Sequence, residues 1–322
     1  MSRKILVTGA SGWLGSAIVA ALLARGDAVV ATDLAISPAI GALAAGSLAV
    51  TTAVADLGEW HQVVRLFEAH RPDAVIHAAA IVGVIQAEDI PIKALRVNVE
   101  GSVNLFEALR LNGIKRVIHI STEETYGDFL TPVIDEEHPQ KPLSVYGLTK
   151  LAAEHYGRVY SRDHGLECIN VRTCWVYGPH LPRLRMPRTF VEAALRGEPF
   201  HQPDGGDLAV DQVYIADTVA GALLALDKPK HRFDAYNIAT GKAPTLRDTA
   251  NAVNAAIPGA RITVGDSGPY RHGGKVLSAV KGALDISRAR AELGYQPAYD
   301  LQRGIEATIA ATRERMSPVP PA

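Results

Sequence analysis

The sequence predicts an α/β protein built on a doubly wound parallel sheet, with a smaller C-terminal substrate-binding lobe. Three observations carry that prediction. Thr8-Gly9-Ala10-Ser11-Gly12-Trp13-Leu14-Gly15 follows a short apolar run and opens a helical pattern. Tyr146-Gly147-Leu148-Thr149-Lys150 lies on a later helical pattern. Between them, apolar strands alternate with helical periods, which places strands parallel, helices on both faces and ligands beyond the strands' carboxyl ends.

Residues 4–8 read as a buried first strand, and Leu14, Ile18, Ala21 and Leu22 share one face of the helix after it. Strand, glycine turn and helix in that order form a dinucleotide fingerprint of the Rossmann type. Gly9 allows the tight turn, Gly12 lets backbone approach a pyrophosphate, and Gly15 lets helix and strand pack closely. The helix start then offers free N–H groups to phosphates. Residues 28–32 form a second strand that ends at Asp33. A carboxylate there accepts hydrogen bonds from the ribose hydroxyls of NAD and repels a 2′-phosphate. Leu34, Ala35 and Ile36 follow with no cation, so the expected cofactor is NAD and not NADP.

Further along, residues 47–55 read as a third strand and 60–70 as a helix. A fourth strand at 74–77 runs into Ala78-Ala79-Ala80. One long helix covers 91–112, a fifth strand 116–120, a helix 146–163 and a sixth strand 167–176. After Tyr177-Gly178-Pro179 the pattern breaks into a proline- and arginine-rich loop, a short helix at 189–196, a strand at 210–215 and a helix at 217–226. The expected organisation is a cofactor domain over residues 1–178, with part of 210–240 returning to it. Residues 179–316 mainly form the substrate lobe, and the proline-rich tail 317–322 is frayed.

Tyr146 and Lys150, four apart, share a helical face. A phenol with a reference pKa near 10 is a poor base at neutral pH. An ammonium about 6 Å away, at an effective dielectric of about 20, favours phenolate by roughly 2.8 kcal/mol, or about two pKa units. Tyr146 then takes a proton from a substrate hydroxyl as its carbon gives up hydride, and Lys150 also reaches the nicotinamide ribose. Thr122, at the end of the fifth strand, is placed to bond the same substrate oxygen. Glu123 and Glu124 follow directly, and two adjacent carboxylates there are costly unless they have water, donors or a task.

Composition narrows the alternatives. The 322 residues are 48% hydrophobic with formal charge −1, enough for a large core and without the basic excess of a nucleic-acid or membrane-surface binder. The N-terminus enters a strand at once, without a signal-type segment, and no charge-free apolar stretch is long enough to span a bilayer; the expectation is a cytoplasmic protein. Cys168 and Cys174, six apart on one predicted strand, lie too far apart for a disulfide. The histidines show no metal-binding spacing, so no metal is expected.

These motifs resemble the extended short-chain dehydrogenase/reductases, the NAD-dependent epimerase/dehydratases. The family's TGxxGxxG stands at 8–15, its adenine-side Asp-Leu at Asp56-Leu57, its HxAA at His77–Ala80 and its helix asparagine at Asn98. Its ST…YG stands at 121–127, PxSxYGxxK at 142–150, RxxxVYGP at 172–179 and DxVYIxD at 211–217. The resemblance implies that Asp56, Leu57, Ala78, Ala79, Ala80 and Asn98, with Ser11, Trp13 and Leu14 of the turn, line the cofactor. Residues 119–128 look most like the sugar-nucleotide 4,6-dehydratases. That likeness implies Glu123 as general acid, where the family has Asp, and Glu124 as the base at C5. Two departures concern the nucleotide: Trp175 stands where an asparagine contacts substrate, and Val210 where an arginine binds phosphate. Arg271 matches a second phosphate-side arginine, while Arg183, Arg185 and Arg188 offer an anion site after Pro179. The resemblance also implies a homodimer through the helices near 91–112 and 146–163.

Three functions follow. One is a nucleotide-sugar epimerase or dehydratase that parks hydride on NAD and returns it. The second is a plain NAD-dependent dehydrogenase of a free sugar, sugar acid or small alcohol, favoured by Val210 and Trp175. The third is a silent dinucleotide sensor, which the intact Tyr146/Lys150 pair disfavours.

Overall fold

The computed structural model describes residues 3–266, 268–272, 275–276 and 279–316. The tail 317–322 and Gly273 of the Arg271 element lie outside them. Five strands set the frame: β1 (Lys4–Thr8), β2 (Ala28–Asp33), β3 (Val50–Val54), β4 (Ala74–His77) and β5 (Arg116–Thr122). With Glu167–Thr173 and Ala235–Ile238 they make a seven-stranded parallel sheet. Its order is Ala235–Ile238, Glu167–Thr173, β5, β4, β1, β2, β3. The order reverses direction at β1, and the crevice at its carboxyl end, between β1 and β4, is where a dinucleotide fits.

Alternation in β1 sends Ile5 and Val7 to one apolar cluster and Leu6 to another, so both faces are covered by helices. Register lines up one polar row across the middle of the sheet, Thr32, Thr8, His77, His119 and Asn170. β5 continues three residues past this row, so Ser121 and Thr122 reach over the crevice.

Several expected boundaries shift. The third strand shortens because a helix at Pro38–Gly46, capped by Ser37, fills the approach to it. The long helix is broken: Pro91–Leu95, a π-turn at Arg96–Glu100, then Gly101–Leu111. The sixth strand stops at Thr173, and Trp175–Tyr177 leaves the sheet to pair with Gln212–Tyr214. Cys174 lies at that break; both cysteines are buried and free. The strand Ala235–Ile238 returns to the sheet edge beside Glu167–Thr173, within the stretch expected to cross back.

The Val145–His164 helix starts at Ser144, whose hydroxyl accepts from Gly147 N at 3.1 Å, and ends at Gly165 with φ 65°. It is tied to the sheet by a buried ion pair: Arg172 Nη2 to Glu154 Oε2 at 2.7 Å, with Ser121 Oγ donating to Glu154 Oε1 at 2.5 Å. Burial disfavours both charges, yet each partner overcomes it: Glu154 is held below the usual carboxylate range and Arg172 is pushed up.

Candidate active site

The glycine turn has the geometry its spacing predicts. Gly9 has φ +69°, and a Cβ on it would come 2.6 Å from Ala79 N. A Cβ on Gly15 would sit 2.0 Å from Gly9 O, so helix and turn touch through that position. At Gly12 a Cβ would meet only Gly9 O, at 3.1 Å, leaving that face open to the cleft. The helix Trp13–Ala24 has no side-chain cap at Gly12, so its first N–H groups stay available to phosphate oxygens.

Asp33 lies across the turn. Its Oδ2 accepts from Ser11 N at 2.9 Å and its Oδ1 from Leu34 N at 2.7 Å. Ser11, Gly12, Trp13, Leu14, Asp33, Asp56, Leu57, Ala78, Ala79 and Ala80 all line one cleft. Asp56 keeps its own turn by accepting from Gly58 N at 2.8 Å. Trp13 Nε1 donates to Pro179 O at 2.7 Å, which joins the cofactor turn to the loop after Tyr177.

Asn98 is a correction to the expected cofactor contacts. It is buried in the π-turn and does not line the cleft. Its amide bonds Ile81 N at 2.7 Å, Ile81 O at 3.1 Å and Thr149 Oγ1 at 3.0 Å. Here the π-turn makes Asn98 a brace between the loop after β4 and the Val145–His164 helix.

Farther along the cleft, Thr122, Glu123, Glu124 and Tyr146 come together. Gly147 explains the closeness: a Cβ there would fall 2.3 Å from Glu124 O, so the helix lies directly on the turn Glu123–Thr125. Thr122 and Tyr146 line the same stretch of the cleft, and the Thr122 hydroxyl acts to lower the pKa of the Tyr146 phenol.

Lys150 departs from the electrostatic expectation. Its Nζ is buried and lies 2.7 Å from His119 Nε2, away from the cleft wall. His119 is itself held by Asn170 Oδ1 at 2.9 Å and stacks 5.6 Å from His77. Burial brings the ammonium down to about 7, opposed by Glu154. Tyr146 is pushed up to about 12 by burial, and the largest opposing influence is the Arg183 charge, not Lys150. The expected two-unit lowering of the phenol by Lys150 is therefore absent, because the lysine turns to a neutral histidine inside the sheet.

Of the loop arginines, two face the cleft. Arg183 reaches over Gly83, where a Cβ would meet its Nη1 at 2.4 Å. Arg185 stacks on Trp175 at 5.0 Å and donates to Val176 O at 3.1 Å, while its Nε is buried with no hydrogen-bond partner among the described residues. Burial and then Arg183 bring Arg185 down to about 10. Trp175 also packs against Tyr270, 6.0 Å between ring centroids. Arg188 is not part of this group: it bonds Glu192 and the carbonyls of Leu181 and Pro182. Arg271 stands exposed on the rim.

The sequence reading missed Lys281. This buried lysine, from the C-terminal segment, lies 2.8 Å from Glu124 Oε1 and 3.7 Å from Glu123 Oε1. It also missed His119, whose only signal was a polar residue inside an otherwise apolar strand. Among the described residues no group of His, Cys, Asp and Glu side chains could hold a metal, and no helix is long and apolar enough to cross a membrane.

A dinucleotide turn, a carboxylate at the end of β2 and a phenol facing the same cleft define an NAD-dependent oxidoreductase. The family model of the NAD dependent epimerase/dehydratase family matches residues 5–239, and this chain belongs to that family. A UDP-glucose 4-epimerase of Mycolicibacterium smegmatis is 31% identical over 97% of this chain and 99% of its own. A dTDP-glucose 4,6-dehydratase of Xanthomonas campestris pv. campestris is 28% identical over 94% and 91%. Among solved structures, the UDP-glucuronic acid 4-epimerase of Bacillus cereus, in complex with UDP-glucuronic acid and NAD, is 27% identical. It superposes with a TM-score of 0.83 over 97% of this chain and 99% of that one.

Proposed function

We propose that this enzyme is a nucleotide-sugar epimerase or dehydratase: it oxidises one ring hydroxyl at Tyr146 and returns the hydride before product leaves. The observation that carries this is the reach of the cleft. It measures about 1330 Å³ and runs from Asp33 past Tyr146 to Phe200, Gln202, Tyr270 and Arg271. Ligand pockets commonly hold about 300–1,000 Å³, so this one has room for a dinucleotide and an extended second ligand.

Bound NAD supplies the hydride acceptor. The N–H groups at Gly12–Leu14 would hold its phosphates and Asp33 its adenosine ribose. Tyr146 holds the proton of the reacting hydroxyl and Thr122 orients the oxygen. Arg183 and Arg185 take an anionic group of the substrate beside the reacting carbon, with the bare Nε of Arg185 as a ready donor. In this reading residues 1–178, with 210–240 crossing back, hold the cofactor, and 179–316 mainly form the substrate lobe.

Those arginines favour a second reading, NAD-dependent oxidation of a free sugar acid. Val210 is fully buried where an arginine would have met phosphate, and Trp175, Tyr270 and Arg185 stack across the middle of the cleft. The two readings separate in one assay. UDP-, dTDP-, GDP- and CDP-sugars, and a panel of uronates and aldonates, are incubated with NAD while absorbance at 340 nm and product NMR are followed. Turnover of a nucleotide sugar without net NADH is the expected result. Steady NADH from an unactivated sugar acid, with no nucleotide sugar turned over, would replace the first reading by the second.

We further propose a homodimer. Ile92 and Leu95 on one helix and Leu148, Tyr156 and Val159 on the neighbouring Val145–His164 helix leave an apolar stripe, Ile92 80% exposed. Apolar patches of this kind mark association surfaces. Solution scattering should give twice the chain mass, and Leu148→Glu should halve it; a monomeric native protein removes the idea.

A further inference from the structure

Lys281 has no place in the chemistry derived so far, yet its setting is built with care. The segment carrying it is strapped to the loop after β5. Val280 N donates to Asp128 Oδ1 at 2.7 Å, Phe129 N donates to Val280 O at 3.0 Å, and Ala283–Leu284 pairs in parallel with Val133–Ile134. Gly282 permits the approach, since a Cβ there would lie 2.2 Å from Pro132 O. The strap delivers one buried ammonium against both strand-end carboxylates, which themselves line the cleft.

The distances are unequal. Lys281 Nζ is 2.8 Å from Glu124 Oε1 but 3.7 Å from Glu123 Oε1, and Glu123 Oε2 is buried with no hydrogen-bond partner among the described residues. Two carboxylates and one ammonium leave an excess negative charge in a buried space, which a single proton removes. The closer ion pair keeps the charge, and the oxygen without a partner takes the proton.

We propose that Lys281 is a positioning residue that keeps Glu124 as the carboxylate and leaves one dissociable proton on Glu123, facing the cleft. The two glutamates then have different roles from the outset, Glu123 a donor and Glu124 an acceptor, although they are neighbours in sequence. The other charges facing Glu123 are Asp211, which favours the proton, and Arg185, which opposes it; burial is the largest influence, and together they raise Glu123 to about 7. Burial works against the Lys281 ammonium, but the two glutamates overcome it and it stays charged. The proton split stands on the geometry alone; its use in turnover rests on the function proposed above.

The test has one arm for each. Infrared spectroscopy of the substrate-free protein follows the protonated-carboxyl C=O stretch against pH. The expected band disappears with a midpoint near 7, is absent in Glu123→Gln and shifts to lower pH in Glu124→Gln, because that variant removes the neighbouring negative charge. In Lys281→Met the midpoint rises by at least about one unit, because loss of a cation favours the protonated acid; Lys281→Arg restores it. A band that survives Glu123→Gln, or a midpoint unmoved in Lys281→Met, overturns the proposal, and the two glutamine variants decide it even where Lys281→Met does not fold. In the second arm, with the substrate found in the panel, Lys281→Met lowers kcat about 10–100-fold with little change in KM. The alkaline limb of its rate profile moves up in pH. If the infrared result holds and the rate profile does not move, the proton split is real and its role in turnover fails.

Discussion

Tyr146→Phe lowers kcat by roughly 10²–10⁴-fold, the loss typical of an acid/base group, while NAD still binds. The two effects separate because the phenol and the glycine turn belong to different parts of the cleft lining. The ring remains to pack against Ala87 and Ala94, so the fold is retained; only the hydroxyl beside Thr122 is lost. Titration calorimetry with NAD and a turnover assay on the same preparation check both halves. Activity within tenfold of the native enzyme would remove Tyr146 from the chemistry. The pH dependence has a defined sign as well. Burial lifts the phenol to about 12, so it is neutral at pH 7 and oxidation of substrate becomes faster as pH rises. Arg183→Gln removes the largest opposing charge and should lift the phenol further.

Lys150→Met is expected to stabilise the protein. The ammonium is buried against a neutral His119 and comes down from 10.5 to about 7. Between those values the unfolded chain binds a proton that the native state does not, so this residue makes the native protein more stable as pH rises through that window. Below pH 7 the full cost of burying the charge is present. Methionine removes it but leaves His119 Nε2 without a partner, so the net gain is about 1–3 kcal/mol. The gain is largest below pH 7 and fades toward pH 10.5. Denaturant unfolding at pH 6 and pH 9.5 measures it; a destabilised variant at both values would show that the lysine is held as a favourable ion pair.

The cofactor half of the cleft was legible because its chemistry lies in short spacings. Gly9 and Gly15 each meet the backbone neighbour that makes glycine necessary, Gly12 leaves its face open to the cleft, and Asp33 ends β2 beside Ser11. In each case a few residues of chain and one strand or helix period define the relation. Gly147 was legible as a motif letter, but its reason, contact with Glu124 O, was not. The helix at 91–112 looked continuous because its apolar period tolerates one inserted residue, and the π-turn that aims Asn98 leaves no mark on that period.

The reaction end resisted for a different cause. A helix places Tyr146 and Lys150 on one side, which suggested that they act on each other. Sheet register instead sets His119 beside Lys150, 31 residues away in sequence, and the loop after Pro179 sets Arg183 near the phenol. Lys281 reaches Glu124 across 157 positions by way of a strap that depends on Gly282.

The amino-acid order alone therefore determined the alternating sheet, the dinucleotide turn, the preference for NAD and the presence of a phenol and an amine on one helix, since local periods translate directly into direction and distance. Which charge acts on the phenol, which glutamate holds the proton and how far the cleft extends were decided only by packing. Those relations join side chains from separate elements, and their strengths depend on burial, which no spacing along the chain encodes.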